Sequence, residues 1–394
     1  MSEQEKVLSS EEVMGLEDRF DSGVYSKQGL VIVRGEGAQV WDAEGRAYID
    51  CVGGHGVANV GHANVAVTAA IVRQAERLVV CAGGFYNDQR AQLMARLSRL
   101  SPVREGRVFL CNSGAEAVES ALKFARLATG RKKTIAAMRG FHGRTMGALS
   151  ATWRREYREP FEPLVPGFEF VPYNRMDSME REVDDETAGV ILEVVQGEGG
   201  VLLGDGDYLR GVQRLCEERG ALFIVDEVQT GFGRTGRMFA CEHYDLSPDL
   251  LCLAKGIAGG LPMGAVVMGP RAADLPKKVH GSTFGGNPLS CAAALASIDY
   301  ILTERLPQRS RTLGSRLKKG LEGIPSPVIR EVRGLGLMVA VELKGPAAPN
   351  LAALADRGVL ALSAGRNVMR FLPPLVITED QVDTVIGRVA EVLA

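Results

Sequence analysis

Between about residues 105 and 270 the chain repeats one pattern seven times, a short apolar run closed by a polar or glycine-rich turn: RVFLCN, KTIAAMRG, FEFVPY, GVILEVV, ALFIVDEV, LLCLAK and GAVVMG. Runs of this length, several rich in Val and Ile, suit strands buried on both faces. The stretches between them include AEAVESALKFARLATG and DYLRGVQRLCEERG, which carry helical spacing and close on Gly, a residue favoured just past a helix end. The pattern therefore predicts an α/β fold, a mainly parallel seven-stranded sheet covered by helices.

The ends of the chain read differently. VIVRGEGAQVWDAEGRAYID alternates apolar and polar residues around Asp-Ala-Glu-Gly and predicts a small antiparallel hairpin. After a helix over LSCAAALASIDYILTERL, the C-terminal part predicts a strand GLGLMVAVEL, a helix NLAALADRG, a strand pair ending in VMRFLPPL and a last helix EDQVDTVIGRVAEVLA. The expected plan is a large domain over residues 51–290, with residues 1–50 and 291–394 forming a smaller α+β domain.

Charge and cysteine usage narrow the function. Forty-six basic against 48 acidic residues give a net charge of −2, so no excess positive potential draws the chain to nucleic acid or anionic lipid. No apolar run reaches the roughly 18 to 20 residues that span a bilayer, and the first residues are polar and acidic, which points to a cytoplasmic protein. The seven cysteines are scattered and never spaced C-x-x-C, as expected of reduced thiols. His55, His62, His142, His243 and His280 form no metal-ligand motif, so no metal site is expected and their default reading is structural.

One segment, VDEVQTGFGRTG, spaces Gly231, Gly233 and Gly236 as G-x-G-x-x-G after an apolar strand. A dinucleotide loop would need a helix to start at the third glycine, and RMFACEHYDLSPDL offers no helical apolar face. What precedes the glycines is more informative. Asp226 ends the strand ALFIV, at the carboxyl edge where open α/β sheets place ligands; equally, it could cap the next turn.

Two further groups share that edge. Ser113, Gly114 and Ala115 follow a strand and open a helix, a cradle for phosphate on the helix N-terminus, although Ser113 with Glu116 also reads as an ordinary capping box. Lys255 follows an apolar strand and precedes a glycine-rich turn; a desolvated lysine there suits carbonyl condensation, and a solvated one is the plain alternative. Pyridoxal phosphate needs all three at once: a phosphate site, a carboxylate beside its ring nitrogen and a lysine for its aldehyde.

On these residues, and on GGHGVANVGHANV, NSGAEAVESALKFAR, MRGFHGRTMGALSAT, VQGEGG, VDEVQTGFGRTG, AKGIAGGLPMGA, GSTFGGNPL and MRFLPPL, the chain resembles the fold-type I, class III aminotransferases over almost its whole length. The resemblance implies pyridoxal phosphate as cofactor, with Lys255 as the lysine that condenses with it and Asp226 beside the ring nitrogen. It further implies Gln229 at the ring hydroxyl, Phe141 on the ring face, and Ser113, Gly114 and Ala115 at the phosphate. Thr283 would join the phosphate site from the other subunit, so a homodimer with shared active sites is expected. Arg144, Arg370 and Ser282 are implied to face substrate, with Glu198 pairing Arg370 and releasing it for a 2-oxo acid.

Within that family the motifs are similar to the acetylornithine group, with glutamate and 2-oxoglutarate as the second amino pair. His55 and Asn64 depart from the group's more usual G-G-I-A-V-N-x-L-G-H-x-H-P. VGGHGVANVGH is similar instead to enzymes of lysine synthesis that aminate aminoadipate semialdehyde held by an acidic amino-group carrier protein. The expected activity is therefore lysine synthesis, arginine synthesis through acetylornithine, or both. Arg154, Arg155, Lys277 and Lys278 are the candidates for a basic rim that meets the carrier. Ornithine or 4-aminobutyrate aminotransferase and aminomutase activities share the ring chemistry and stay open; a nicotinamide-dependent oxidoreductase is the rival from another class.

Overall fold

A computed structural model describes residues 8–394. Its centre is a seven-stranded sheet in the order Arg107–Cys111, Gly264–Met268, Leu250–Leu253, Leu222–Asp226, Thr187–Leu192, Lys133–Ala137 and Phe168–Val171. These are the seven apolar runs of the sequence. Gly264–Met268 is antiparallel to both its neighbours, and the other adjacent pairs are parallel. Every residue of Thr187–Leu192, Leu222–Asp226, Leu250–Leu253 and Gly264–Met268 is buried, which is why these segments show no polar alternation.

Helices Gly114–Thr129 and Gly206–Arg219 cover the sheet. Both end on glycines in the left-handed region, Gly130 at φ +71° and Gly220 at φ +68°. Ser113 caps the first helix by accepting from Glu116 N–H at 3.1 Å. The reciprocal half of a capping box is absent, because the Glu116 carboxylate accepts instead from Asn112 N–H, one residue earlier.

Both termini do share structure. Strands Ile32–Glu36, Gln39–Asp42 and Ala47–Asp50 form the expected hairpin, and Ala47–Asp50 pairs in parallel with Val359–Leu360. The single strand expected over residues 334–343 is instead a hairpin of Ile329–Leu335 and Met338–Leu343 that turns at Gly336, φ +58°. Its turn residue Leu337 is buried, so the apolar pattern runs through the turn unbroken. Val368–Phe371 pairs with Met338–Leu343 and brings Arg370 towards the central sheet. Helix Pro288–Thr303 runs across residue 290 and packs against helices Val65–Ala75 and Asp88–Leu100.

The glycine motif after Asp226 serves this assembly. No helix follows Gly236; the next regular element is one short 3-10 turn, Ala240–His243, so the pyrophosphate site of a dinucleotide fold is not formed. Within the motif, Arg234 is fully buried and donates to the carbonyls of Leu337 and Pro373 and to Asn59 Oδ1 at 2.8 Å. Gly236, at φ +96°, lets the chain pass Arg311, whose Cβ would lie 3.0 Å from any added Cβ. Among the described residues no helix is long and apolar enough to cross a membrane.

Candidate active site

The carboxyl edge of the sheet frames a cavity of about 620 Å3. Asp226 is the last residue of its strand, Lys255 lies two residues past Leu253, and Ser113 two residues past Cys111. Parallel strands end together, so these three positions, distant in sequence, line one space. Phe141, Arg144, Glu198, Gln229, Gly114 and Ala115 line it too. Alternation along the strand then separates two adjacent carboxylates. Asp226 faces the cavity, whereas Glu227 is turned into the protein and accepts from the N–H groups of Ala240 (2.9 Å) and Cys241 (2.7 Å).

Both carboxylate oxygens of Asp226 have partners. Oδ1 accepts from Val228 N–H at 3.0 Å, capping the turn, while Oδ2 lies 2.8 Å from Nδ1 of the buried His142. Burial opposes charge on that imidazole, but the Asp226 carboxylate outweighs it and holds His142 above the ordinary histidine range. Glu193 completes the cluster. It accepts from Phe141 N–H at 2.9 Å and Gly197 N–H at 3.2 Å, and burial pushes its carboxyl up to about 7.

Lys255 makes no hydrogen bond or ion pair with any described residue. Desolvation, joined by the positive charge of Arg370, holds its amine below the ordinary lysine range, against the pull of Glu198, Asp226 and Glu193. Its backbone φ of +32° is unusual for a non-glycine residue and marks strain at the site.

Behind the lining residues Glu198 and Gln229 lies Arg370, fully buried, which donates to Glu198 Oε1 at 2.6 Å and to Gln229 Oε1 at 3.2 Å. Burial raises the Glu198 carboxyl, but Arg370 outweighs it and holds the group below the usual carboxylate range. Arg144 stands free of acceptors, its Cζ 3.4 Å from the centroid of the Tyr157 ring and 5.8 Å from that of Phe141.

Ser282 and Thr283 are not brought to this cavity within the chain. They line a separate hollow with His280 and Asn112, where Ser282 Oγ accepts from Asn112 Nδ2 at 3.1 Å and Gly285 N–H at 3.0 Å. The sequence reading missed His142 and Glu193. His142 follows Phe141 directly and carries no spacing signal of its own; only the fold sets it behind Asp226.

Set against pyridoxal phosphate, the cavity residues fit. Helical geometry leaves the N–H groups of Gly114 and Ala115 without intrahelical acceptors, and both line the cavity, as a phosphate requires. Asp226 supplies a buried carboxylate and Lys255 an unpaired amine on the same cavity.

The family model for class-III aminotransferases matches residues 22–393. The LysW-aminoadipate semialdehyde transaminase of Deinococcus radiodurans is 49% identical over 384 residues, covering 96% of this chain and 90% of its own. The acetylornithine aminotransferase of Methanopyrus kandleri is 47% identical over 379 residues, covering 95% and 97%. Among solved structures, an ornithine aminotransferase from Toxoplasma gondii, described with partial occupancy of PLP at its active site, superposes with a TM-score of 0.94 at 34% identity, covering 98% of this chain and 95% of its own.

Proposed function

The chain belongs to the class-III aminotransferases, and on that premise we propose that it moves an amino group between glutamate and the terminal carbon of a semialdehyde in lysine synthesis, arginine synthesis or both. It is a pyridoxal-phosphate-dependent transaminase. Its two amino-acceptor candidates are carrier-bound aminoadipate semialdehyde, the acceptor named for the Deinococcus relative, and N-acetylglutamate semialdehyde, whose aminated product is the acetylornithine named for the Methanopyrus relative.

When bound, the cofactor supplies an aldehyde that takes up the amino group and a ring that draws charge from the substrate carbon. The chain's own residues do the rest. Lys255, held below its ordinary range, carries a proton to and from the substrate carbon as general base and acid. Asp226, backed by His142, keeps a proton on the ring nitrogen, and Gln229 meets the ring hydroxyl. Phe141 covers the ring face; Ser113, Gly114 and Ala115 hold the phosphate with Thr283 of a second copy. The active unit in this reading is a cytoplasmic homodimer.

The observation that carries the two-substrate reading is the Glu198–Arg370 pair at 2.6 Å. Paired, Arg370 is neutralised and the site accepts a terminal amine that has no carboxylate near the reacting carbon. Released, its fork binds the carboxylate of glutamate or 2-oxoglutarate bidentately. Arg144 takes the other substrate carboxylate, with Ser282 of a second copy, beside Thr283, as a further contact. Arg154 and Arg155 line a second cavity of about 800 Å3 that also touches Phe141 and Glu198, which supports a basic approach for an acidic carrier.

The test is the visible spectrum of the purified protein. A yellow band should bleach on adding glutamate, then on adding N-acetylornithine or the carrier-bound lysine product, with relative bleaching rates ranking the donors. Arg155→Glu should raise KM for the carrier-bound donor and not for free N-acetylornithine. Equal effects on both, or fastest bleaching with ornithine or 4-aminobutyrate, would replace this substrate assignment.

A further inference from the structure

Tyr157 lines the cavity of about 800 Å3 beside the active site and has two guanidinium groups against its ring. The Cζ of Arg144 lies 3.4 Å from its ring centroid and that of Arg154 lies 5.4 Å away. Arg154 Nη1 also donates to the Tyr157 hydroxyl at 3.1 Å, and Phe141 meets the ring edge-on, with centroids 6.1 Å apart at 87°. The segment carrying the ring is stitched to the loop carrying Phe141 and Arg144. Trp153 N–H donates to Gly140 O at 2.9 Å, His142 N–H to Thr152 Oγ1 at 2.9 Å, and Thr152 Oγ1 to Gly143 O at 3.1 Å.

At 3.4 Å a guanidinium is in van der Waals contact with a ring face, an arrangement that only stacking of the two planes permits. Stacking leaves the in-plane N–H donors of Arg144 pointing past the ring, and no described residue accepts from them. Tyr157 itself cannot tip away, because Arg154 holds its hydroxyl and Phe141 its edge. The fork is thus aimed before substrate arrives, which removes the entropy of ordering a long, exposed side chain on binding.

We propose that Tyr157 is a positioning residue that aims Arg144 at a substrate carboxylate, and so sets how strongly the enzyme prefers carboxylate-bearing amines over the same amines without one. This rests on the reading above that Arg144 faces substrate. The consequence is specific. Loss of the ring weakens binding of the carboxylate, not the chemistry at Lys255, and leaves an amine that never engaged Arg144 unaffected.

The experiment compares the holoenzyme with Tyr157→Leu, Tyr157→Phe and Arg144→Gln, using N-acetylornithine and its decarboxylated analogue N-acetylputrescine as donors in the half-reaction. Cofactor content and thermal stability are measured alongside. In Tyr157→Leu, KM for N-acetylornithine should rise roughly 5- to 30-fold, the span of a partly desolvated cation–π contact, with kcat and the reaction of N-acetylputrescine unchanged. Tyr157→Phe, which keeps the ring, should retain most of the preference, and Arg144→Gln should abolish it. If Arg144→Gln abolishes the preference while Tyr157→Leu leaves it intact, or Tyr157→Leu impairs both donors equally, the proposal fails and the role of Arg144 stands. If Arg144→Gln itself keeps the preference, the assignment of Arg144 is wrong and the proposal falls with it.

Discussion

Oδ2 of Asp226 lies 2.8 Å from Nδ1 of His142, and the two residues are only 4% and 3% exposed. The His142 ring fixes the Asp226 side chain at the cavity, where its carboxylate can face a ring nitrogen. The pair joins a strand end to a loop 84 residues away in sequence.

His142 should therefore matter without touching substrate. Removing a hydrogen bond to a charged group costs about 1.5–3 kcal/mol, so His142→Gln should lower kcat roughly 10- to 100-fold and speed cofactor release. Stopped-flow half-reactions and dialysis of bound cofactor measure the two effects. A variant with unchanged kcat would leave Asp226 working without its neighbour.

The buried cluster also makes stability depend on pH. Burial raises Glu193 from 4.5 to about 7, and Asp226 raises His142 above 6.5. Both folded-state values exceed the unfolded ones, so each group binds its proton more tightly in the fold. Their contributions are complete below the unfolded values and are lost as pH rises through the folded ones. Relative to Glu193→Gln, Tm of the cofactor-free wild type should fall between pH 5 and pH 8, the comparison cancelling His55, His243 and His280, whose lowered values act in the opposite direction. Parallel Tm profiles for the two proteins would contradict the assignment.

Lys255→Ala should slow the half-reaction by at least about 10²–10⁴-fold, the usual contribution of a positioned acid–base group. The substitution opens room beside the cavity, so added methylamine should restore part of the rate, with a pH dependence set by the amine supplied. No rescue, together with near-normal turnover, would remove Lys255 from the chemistry.

Glu198→Gln leaves Arg370 without its anionic partner. KM for 2-oxoglutarate should fall several-fold, while kcat/KM for the terminal-amine donor stays level or drops, because a buried unpaired cation now faces it. Steady-state kinetics with both substrates read the ratio directly; a parallel change in both would argue against a switch.

Gly264 sits where the antiparallel strand begins, and a Cβ there would stand 2.3 Å from the carbonyl oxygen of Ser113. Backbone must shift to admit it, and overpacking of this kind costs about 1–3 kcal/mol. Gly264→Ala should lower Tm and, by displacing the turn before Gly114, reduce retained cofactor. Thermal melts and the absorbance of the purified variant test both.

The sheet was legible because each of its strands is a compact apolar run between turn residues, and the helix ends at Gly130 and Gly220 because a left-handed cap favours glycine. Lys255, Asp226 and Ser113 were legible as polar residues placed just where apolar runs stop. The hairpin at Gly336 was not, since Leu337 is as buried as the strands beside it. The glycine spacing in VDEVQTGFGRTG carried two meanings, and only the absence of a helix after Gly236, together with the burial of Arg234, separates them.

By itself the sequence determined which segments are strands, which residues end them and which chemistry those residues could share, because burial and turn formation act on neighbours along the chain. Only the tertiary structure decided that Gly264–Met268 inserts antiparallel between two other strands, that His142 backs Asp226, that Arg370 reaches Glu198 and that Tyr157 lies under Arg144. Each of these joins residues far apart in sequence, or side chains whose directions depend on the packing around them. No local pattern records such contacts, because they come into being when the layers close on one another.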